Sequence, residues 1–168
     1  MTASGPARAL LAVIASALIG GAVAYAAAPA ITADGAGDVE LGAKAFDLRQ
    51  AGLIGQVRHG CELAPHTRAA KLKPPLEGQV NFTLTMPRLA DNISITGGAK
   101  ASGVGVGSRK HDIRAAFPHV NFDHNTDDVF GITLAKIPRR DGGKFQFATD
   151  IATKKVTLIG VPFIAFCE

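Results

Sequence analysis

Two stretches of this chain repeat each other at an offset of 65 residues. Asp47-Leu48-Arg49-Gln50-Ala51 lies over Asp112-Ile113-Arg114-Ala115-Ala116. Held at that offset without gaps, residues 38–102 and 103–167 are identical at ten positions. Composition alone would give roughly five, and the identities cluster rather than scatter. They include Gly42/Gly107, Asp47/Asp112, Arg49/Arg114, Gly78/Gly143 and Phe82/Phe147. A unit this small cannot cover its own apolar face, so two copies in one chain are expected to share a single core.

The elements of each unit follow from local pattern. Gly103, Gly105 and Gly107 run into Ser108, which reads as a strand or loop turning into a short helix. Ser108 is the expected N-cap and Pro118 the stop. Helices are predicted over 43–51, with Phe46 and Leu48 as the largest apolar residues, and over 109–117, with Ile113, Ala116 and Phe117 inward. Residues 53–76 read as a long loop with one extended stretch around 69–73. Residues 78–86 alternate Val80, Phe82 and Leu84 against Asn81, Thr83 and Thr85, the mark of a half-buried antiparallel strand. A turn at Pro87 leads to a return strand over 92–96. The second unit repeats this order: a polar loop at 119–128, a strand over 130–137 carrying Phe130, Ile132 and Leu134, and a return over 144–149 carrying Phe145 and Phe147. A third strand follows over 156–159, then a buried apolar tail over 161–167. The expected fold is α+β: two tandem helix-plus-β-hairpin modules, 38–102 and 103–168, forming one antiparallel sheet with short helices packed on one face.

The N-terminus sets the compartment. No charged residue occurs from Ala9 to Ala33, and Arg8 stands just before that run. With small residues at Ala24-Tyr25-Ala26, residues 1–26 read as a secretory signal cleaved before Ala27, followed by a flexible leader over 27–37. The alternative is an uncleaved membrane-anchoring helix. The expected location is therefore secreted or cell envelope. In such a compartment the two cysteines, Cys61 and Cys167, read as one disulfide. Closing so long a loop is worth about 4–5 kcal/mol in the chain-entropy account. The whole chain carries +4; without Arg8, seventeen basic side chains face fourteen acidic ones, a net of +3. So mild a balance favours solubility and argues against a nucleic-acid partner.

A glycine, a short helix, a loop and a hairpin, written in tandem, resemble the β-lactamase-inhibitor-protein family. A single copy is similar to the small lipoproteins of the outer-membrane barrel-assembly machinery. Gly42, Leu48, Gly78, Phe82 and Ile93 carry the resemblance in the first copy, and Gly107, Ile113, Gly143, Phe147 and Leu158 in the second. It implies the tandem α+β fold and, as one activity, inhibition of a secreted hydrolase such as a β-lactamase. Inhibitors of that family present Trp and Tyr on a concave sheet. This chain has no Trp, and its one Tyr is Tyr25, so no functional residue carries over.

The glycine run lacks the spacing of a dinucleotide fingerprint and the Gly-Lys-Ser/Thr of a phosphate loop. His119, Asp123, His124, Asp127 and Asp128 gather donors in one loop, and neutral imidazole with carboxylate is a possible divalent-metal set. The same loop is also well composed for turns. Ser108 lacks the G-x-S-x-G setting of a nucleophile. Lys136, Arg139, Arg140 and Lys144 form a basic hairpin end, which also discourages edge pairing. Asn92-Ile93-Ser94 matches a glycosylation triplet.

These features point to an exported, non-enzymatic binding module without a cofactor. Its partner is expected to be a protein or a cell-envelope component, and membrane contact is expected only through an uncleaved N-terminal segment. Its expected surface is the open sheet face or the loop carrying His119, Phe122, Asp123 and His124, with Arg139 and Arg140 nearby. The alternatives are the hydrolase inhibitor and a metal-binding protein or enzyme using residues 119–128. The disulfide is directly testable. Thiol titration of the unfolded, unreduced protein is expected to find no free thiol, and two would overturn the pairing.

Overall fold

The structure is a computed structural model that describes residues 27–61, 66–138 and 143–166. In chain order its elements are β1 (Gly35–Ala36), β2 (Val39–Glu40), α1 (Ala45–Gln50), β3 (Arg58–His59), β4 (Arg68–Lys71), β5 (Glu77–Phe82) and β6 (Ala90–Gly97). The second half continues with β7 (Lys100–Ala101), β8 (Val104–Gly105), α2 (Lys110–Ala116), β9 (Asn121–Asp123), α3 (Asp127–Phe130), β10 (Ile132–Pro138), β11 (Lys144–Asp150) and β12 (Val156–Val161).

The α+β expectation is corrected: the fold is mostly β, with strands at 45% and helices at 13% of the described residues. Eight strands form one antiparallel sheet in the order β3-β4-β5-β6-β12-β11-β10-β9. The helices span only four to seven residues, too short to hold their conformation without the sheet beneath them. The stretches read as loops supply β3 and β9, while β4 falls on the extended stretch expected around 69–73. Strands of two or three residues are held by register against a neighbour and show too little alternation to be read locally. The order reads alike from either edge, four strands of each half meeting at β6 and β12, where Ser94 lies opposite Gly160. Each half begins with a tight hairpin, β1–β2 or β7–β8. The presumed leader over 27–37 is part of this packing, since it holds β1 and buries Ile31, Ala33 and Ala36. The presumed signal over 1–26 lies outside the described residues.

One face of the sheet carries the core. Val80, Ile93, Ile95, Phe147, Ile159 and Val161 are fully buried there against Val39, Leu48, Val104 and Ile113 from the hairpins and helices. Each such side chain contributes about 1.5–3 kcal/mol by leaving water. Phe117, at the end of α2, meets Phe145 and Phe147 with ring centroids 5.6 and 5.8 Å apart. The identity Phe82/Phe147 is not an equivalence in the sheet. Ala70 pairs with Val80, whereas Ala135 pairs with Phe147, so the second connection is two residues longer.

Local details shift accordingly. Ser108 is not the N-cap: its Oγ accepts the Gly105 N–H at 3.1 Å and closes the turn after β8. Arg109 occupies the cap position, and the Asp112 carboxylate accepts its N–H at 2.7 Å. Gly103 and Gly107 adopt φ of +84° and +88°, the left-handed backbone these turns require. The strand expected from Phe130 begins at Ile132, and Phe130 ends α3. Phe46, one of the two largest apolar residues of the first helix, is 68% exposed, and Leu84 is 59% exposed.

The second face is covered by the C-terminal tail. Asn92 Nδ2 donates to the Phe163 carbonyl at 2.6 Å, and the Ile164 N–H donates to Gln146 Oε1 at 3.1 Å. Ile164 packs on Leu134 and Ala148, and Phe166 stacks on Phe130 at 4.5 Å. Gly160 permits this approach, because a Cβ there would lie 2.3 Å from the Phe163 carbonyl oxygen.

Urea unfolding separates the buried phenylalanine of β11 from the exposed one of α1. Phe147→Ala is expected to cost about 3–5 kcal/mol, and Phe46→Ala less than about 0.5 kcal/mol. Equal losses would contradict this assignment of the core.

Candidate functional cleft

Between the tail and the β3–β6 half of the sheet lies an open cleft of about 660 Å³. Its floor is polar because alternate residues of β5 and β6 face away from the core. Gln79 and Asn81 stand beside Asn92, with Asn81 Nδ2 donating to Asn92 Oδ1 at 3.4 Å. Its shoulders are apolar: Leu84 on one side, Phe163, Ala165 and Phe166 on the other. His66 and Arg68 line it from the β3–β4 side. Arg68 Nη1 reaches the Thr67 carbonyl at 3.0 Å and His59 Nδ1 at 3.1 Å, while Thr67 Oγ1 accepts the Cys61 N–H at 2.8 Å. The guanidinium is thus held in a fixed orientation at the rim.

Asp91 is the carboxylate of the cleft. Partial burial against the wall raises its pKa, opposed by a hydrogen bond from its own backbone N–H. The residue keeps enough contact with water for screening to hold the effect small.

The residues singled out from sequence fall elsewhere and do not converge. His119 is an exposed turn residue after α2. Phe122 sits on edge strand β9 and packs on the core, with Lys110 Nζ 4.4 Å and Arg114 Cζ 5.1 Å from its ring centre. Burial, then repulsion from Arg114, lowers the Lys110 pKa. Asp123 pairs with Lys136, and His124 Nδ1 lies 2.7 Å from Asp127. Asp127 also accepts from Thr133 Oγ1 at 2.8 Å. These bonds, to Lys136 and to His124 first, hold both carboxyls below their usual range. Asp123, His124 and Asp127 of the 119–128 cluster are thus engaged in structural contacts. Among the described residues no three His, Cys, Asp or Glu side chains gather as a metal would need. Arg139 and Arg140 lie outside the described residues. Asn92, of the glycosylation triplet, is 3% exposed and committed to Phe163, so the folded chain offers no acceptor there.

Sequence reasoning missed His66, Arg68, Leu84, Asp91 and Phe163 as neighbours. The one signal tying them together was the expected Cys61–Cys167 bridge. Cys61 lines the cleft, and the described chain ends at Phe166 on its far wall, while Cys167 lies outside the described residues. Among the described residues no helix is long and apolar enough to cross a membrane. Searches against protein-family models, characterised proteins and solved structures match neither the chain nor its fold to any of them.

The sign of the Asp91 effect can be measured. Its raised pKa means that ionisation opposes folding, so its contribution worsens as pH rises from the ordinary 3.8 through the raised value. Asp91→Asn is expected to raise the thermal midpoint slightly at neutral pH, with the advantage gone below about pH 3.8. A loss of stability at neutral pH would show instead that the carboxylate is held by a favourable partner.

Proposed function

We propose that this chain is an exported, non-enzymatic binding protein that takes an amphipathic organic ligand in the cleft under its C-terminal tail. The observation that carries the reading is the cleft's division into an apolar and a polar wall. Leu84 and Phe163 are large apolar side chains left 59% and 43% exposed, facing the amides of Gln79, Asn81 and Asn92. Concave sites of roughly 300–1,000 Å³ with mostly apolar walls and a few convergent polar groups are the usual form of small-molecule sites. Arg68 adds a cation at the rim, which favours a ligand with an anionic end. A Cys61–Cys167 bridge, as proposed from the cysteine count, would hold the tail as the cleft's fixed wall. The mirrored strand order supports a duplicated unit, with the cleft's floor supplied by the first copy and its far wall by the tail of the second. The hydrolase-inhibitor reading has no Trp or Tyr on the open sheet face to carry it.

The probe is 8-anilinonaphthalene-1-sulfonate, an anionic amphiphile. Saturable binding is expected, with amide shifts concentrated near Gly60, Leu84, Asp91 and Phe163. Leu84→Asn combined with Phe163→Ser is expected to weaken it about tenfold with an unchanged far-ultraviolet spectrum, since neither side chain belongs to the buried core. Absence of binding, or shifts confined to another surface, would overturn the cleft as the site.

A further inference from the structure

The α1 end of the molecule presents a second apolar feature, separate from the cleft. Phe46 of α1 and Met86 of the β5–β6 turn are 68% and 79% exposed and line one groove of about 540 Å³. Lys44, Arg49 and Arg88 line the same groove, and no carboxylate does. Asp47, the acidic residue of α1, lies on the flank away from Arg49, because successive helical positions turn by about 100°. None of the three cations forms an ion pair among the described residues, and Arg88 Nε is buried without a hydrogen-bond partner. Ion pairs lie elsewhere on the described surface: Asp123 with Lys136, His124 with Asp127, and His111 with Asp112. The groove therefore combines projecting apolar side chains with uncompensated positive charge.

We propose that this end docks on the surface of an anionic lipid bilayer. Phe46 and Met86 enter the interfacial layer, and Lys44, Arg49 and Arg88 meet the headgroup phosphates. The turn closes on itself, Thr83 N–H to the Leu89 carbonyl and Leu89 N–H to Thr83 Oγ1, both at 2.9 Å. It is therefore a side-chain tip rather than a free strand edge. A fluid bilayer accepts projecting Phe and Met without a matching pit, while a protein partner would need one shaped to them. Basic residues at an anionic surface each contribute about a fivefold gain in partition, which salt screens.

Sedimentation of the mature protein with vesicles tests this. Vesicles of phosphatidylcholine with about one-third phosphatidylglycerol are expected to bind at least about tenfold more protein than phosphatidylcholine alone, less so at high salt. Lys44→Glu with Arg49→Glu is expected to remove that preference. Phe46→Ser with Met86→Ser is expected to weaken binding severalfold, and neither pair touches the residues of the cleft. Equal binding to both vesicles, or to neither, overturns the proposal. Displacement by millimolar inorganic phosphate would reduce the groove to a free-anion site, and tighter capture of a poly-glutamate peptide would assign it to an acidic polypeptide. Either result also overturns bilayer docking.

Discussion

The structure depends on the antiparallel pairing of β6 with β12. These are the last strands of the two halves, and each would be an open edge without the other. Their backbones join with Ser94 opposite Gly160, Ile95 opposite Ile159 and Ile93 opposite Val161. The four aliphatic side chains of that pairing are wholly buried on one face. Unpaired, each strand would expose a row of donors and acceptors beside an apolar surface, the arrangement that invites aggregation. Joined, they turn two four-stranded sheets into one and leave as edges only β3 and β9, of two and three residues.

The two faces of that sheet are then closed by unlike means, and the candidate site follows from the difference. Helices and tight hairpins cover the aliphatic face over both halves. The other face carries amides and a hydroxyl from Gln79, Asn81, Asn92, Ser94 and Gln146. It receives a single extended segment, held at Asn92 and Gln146. That segment packs its one buried side chain, Ile164, on β10 and β11. Over β3–β5 it covers nothing, and the uncovered area becomes the cleft. Asymmetry in a mirrored scaffold thus comes from one tail that can lie in only one direction.

Legibility from sequence tracked the length of each element. β5, β6 and β11 have enough alternating residues to identify both the strand and its inward side, and Val80, Ile93, Ile95, Phe145 and Phe147 point where alternation places them. In β10 the strand was legible but not its inward side: Ile132 and Leu134 face the C-terminal tail, while Ala135 and Ile137 face the core. β3 and β9 are two and three residues long and hold by pairing to a neighbour whose identity no local pattern encodes. Two of the three helices were legible: α2 and its C-cap turn Ile113, Ala116 and Phe117 toward the core as expected, whereas α3 falls where a polar loop and the start of a strand were expected. α1 has fewer than two turns, and the hairpin above it covers Leu48 and leaves Phe46 in water. In the 119–128 cluster the composition was read correctly as polar and turn-rich. The partners that occupy its carboxylates, Lys136 and Thr133, come from β10 and were not visible as such.

Alternating apolar residues, bounded by glycine and proline, were enough to determine where the longer strands run and which of their side chains leave water. That information is local, because a side chain's face is set by its own position in the pleat. The order of the strands, the covering of the polar face by residues 162–166 and the meeting of Arg68, Leu84, Asp91 and Phe163 were decided only in three dimensions. Backbone amides pair with any strand of suitable register, so the pattern specifies a face without specifying a neighbour. A site built from four separated segments exists only once those neighbours are chosen.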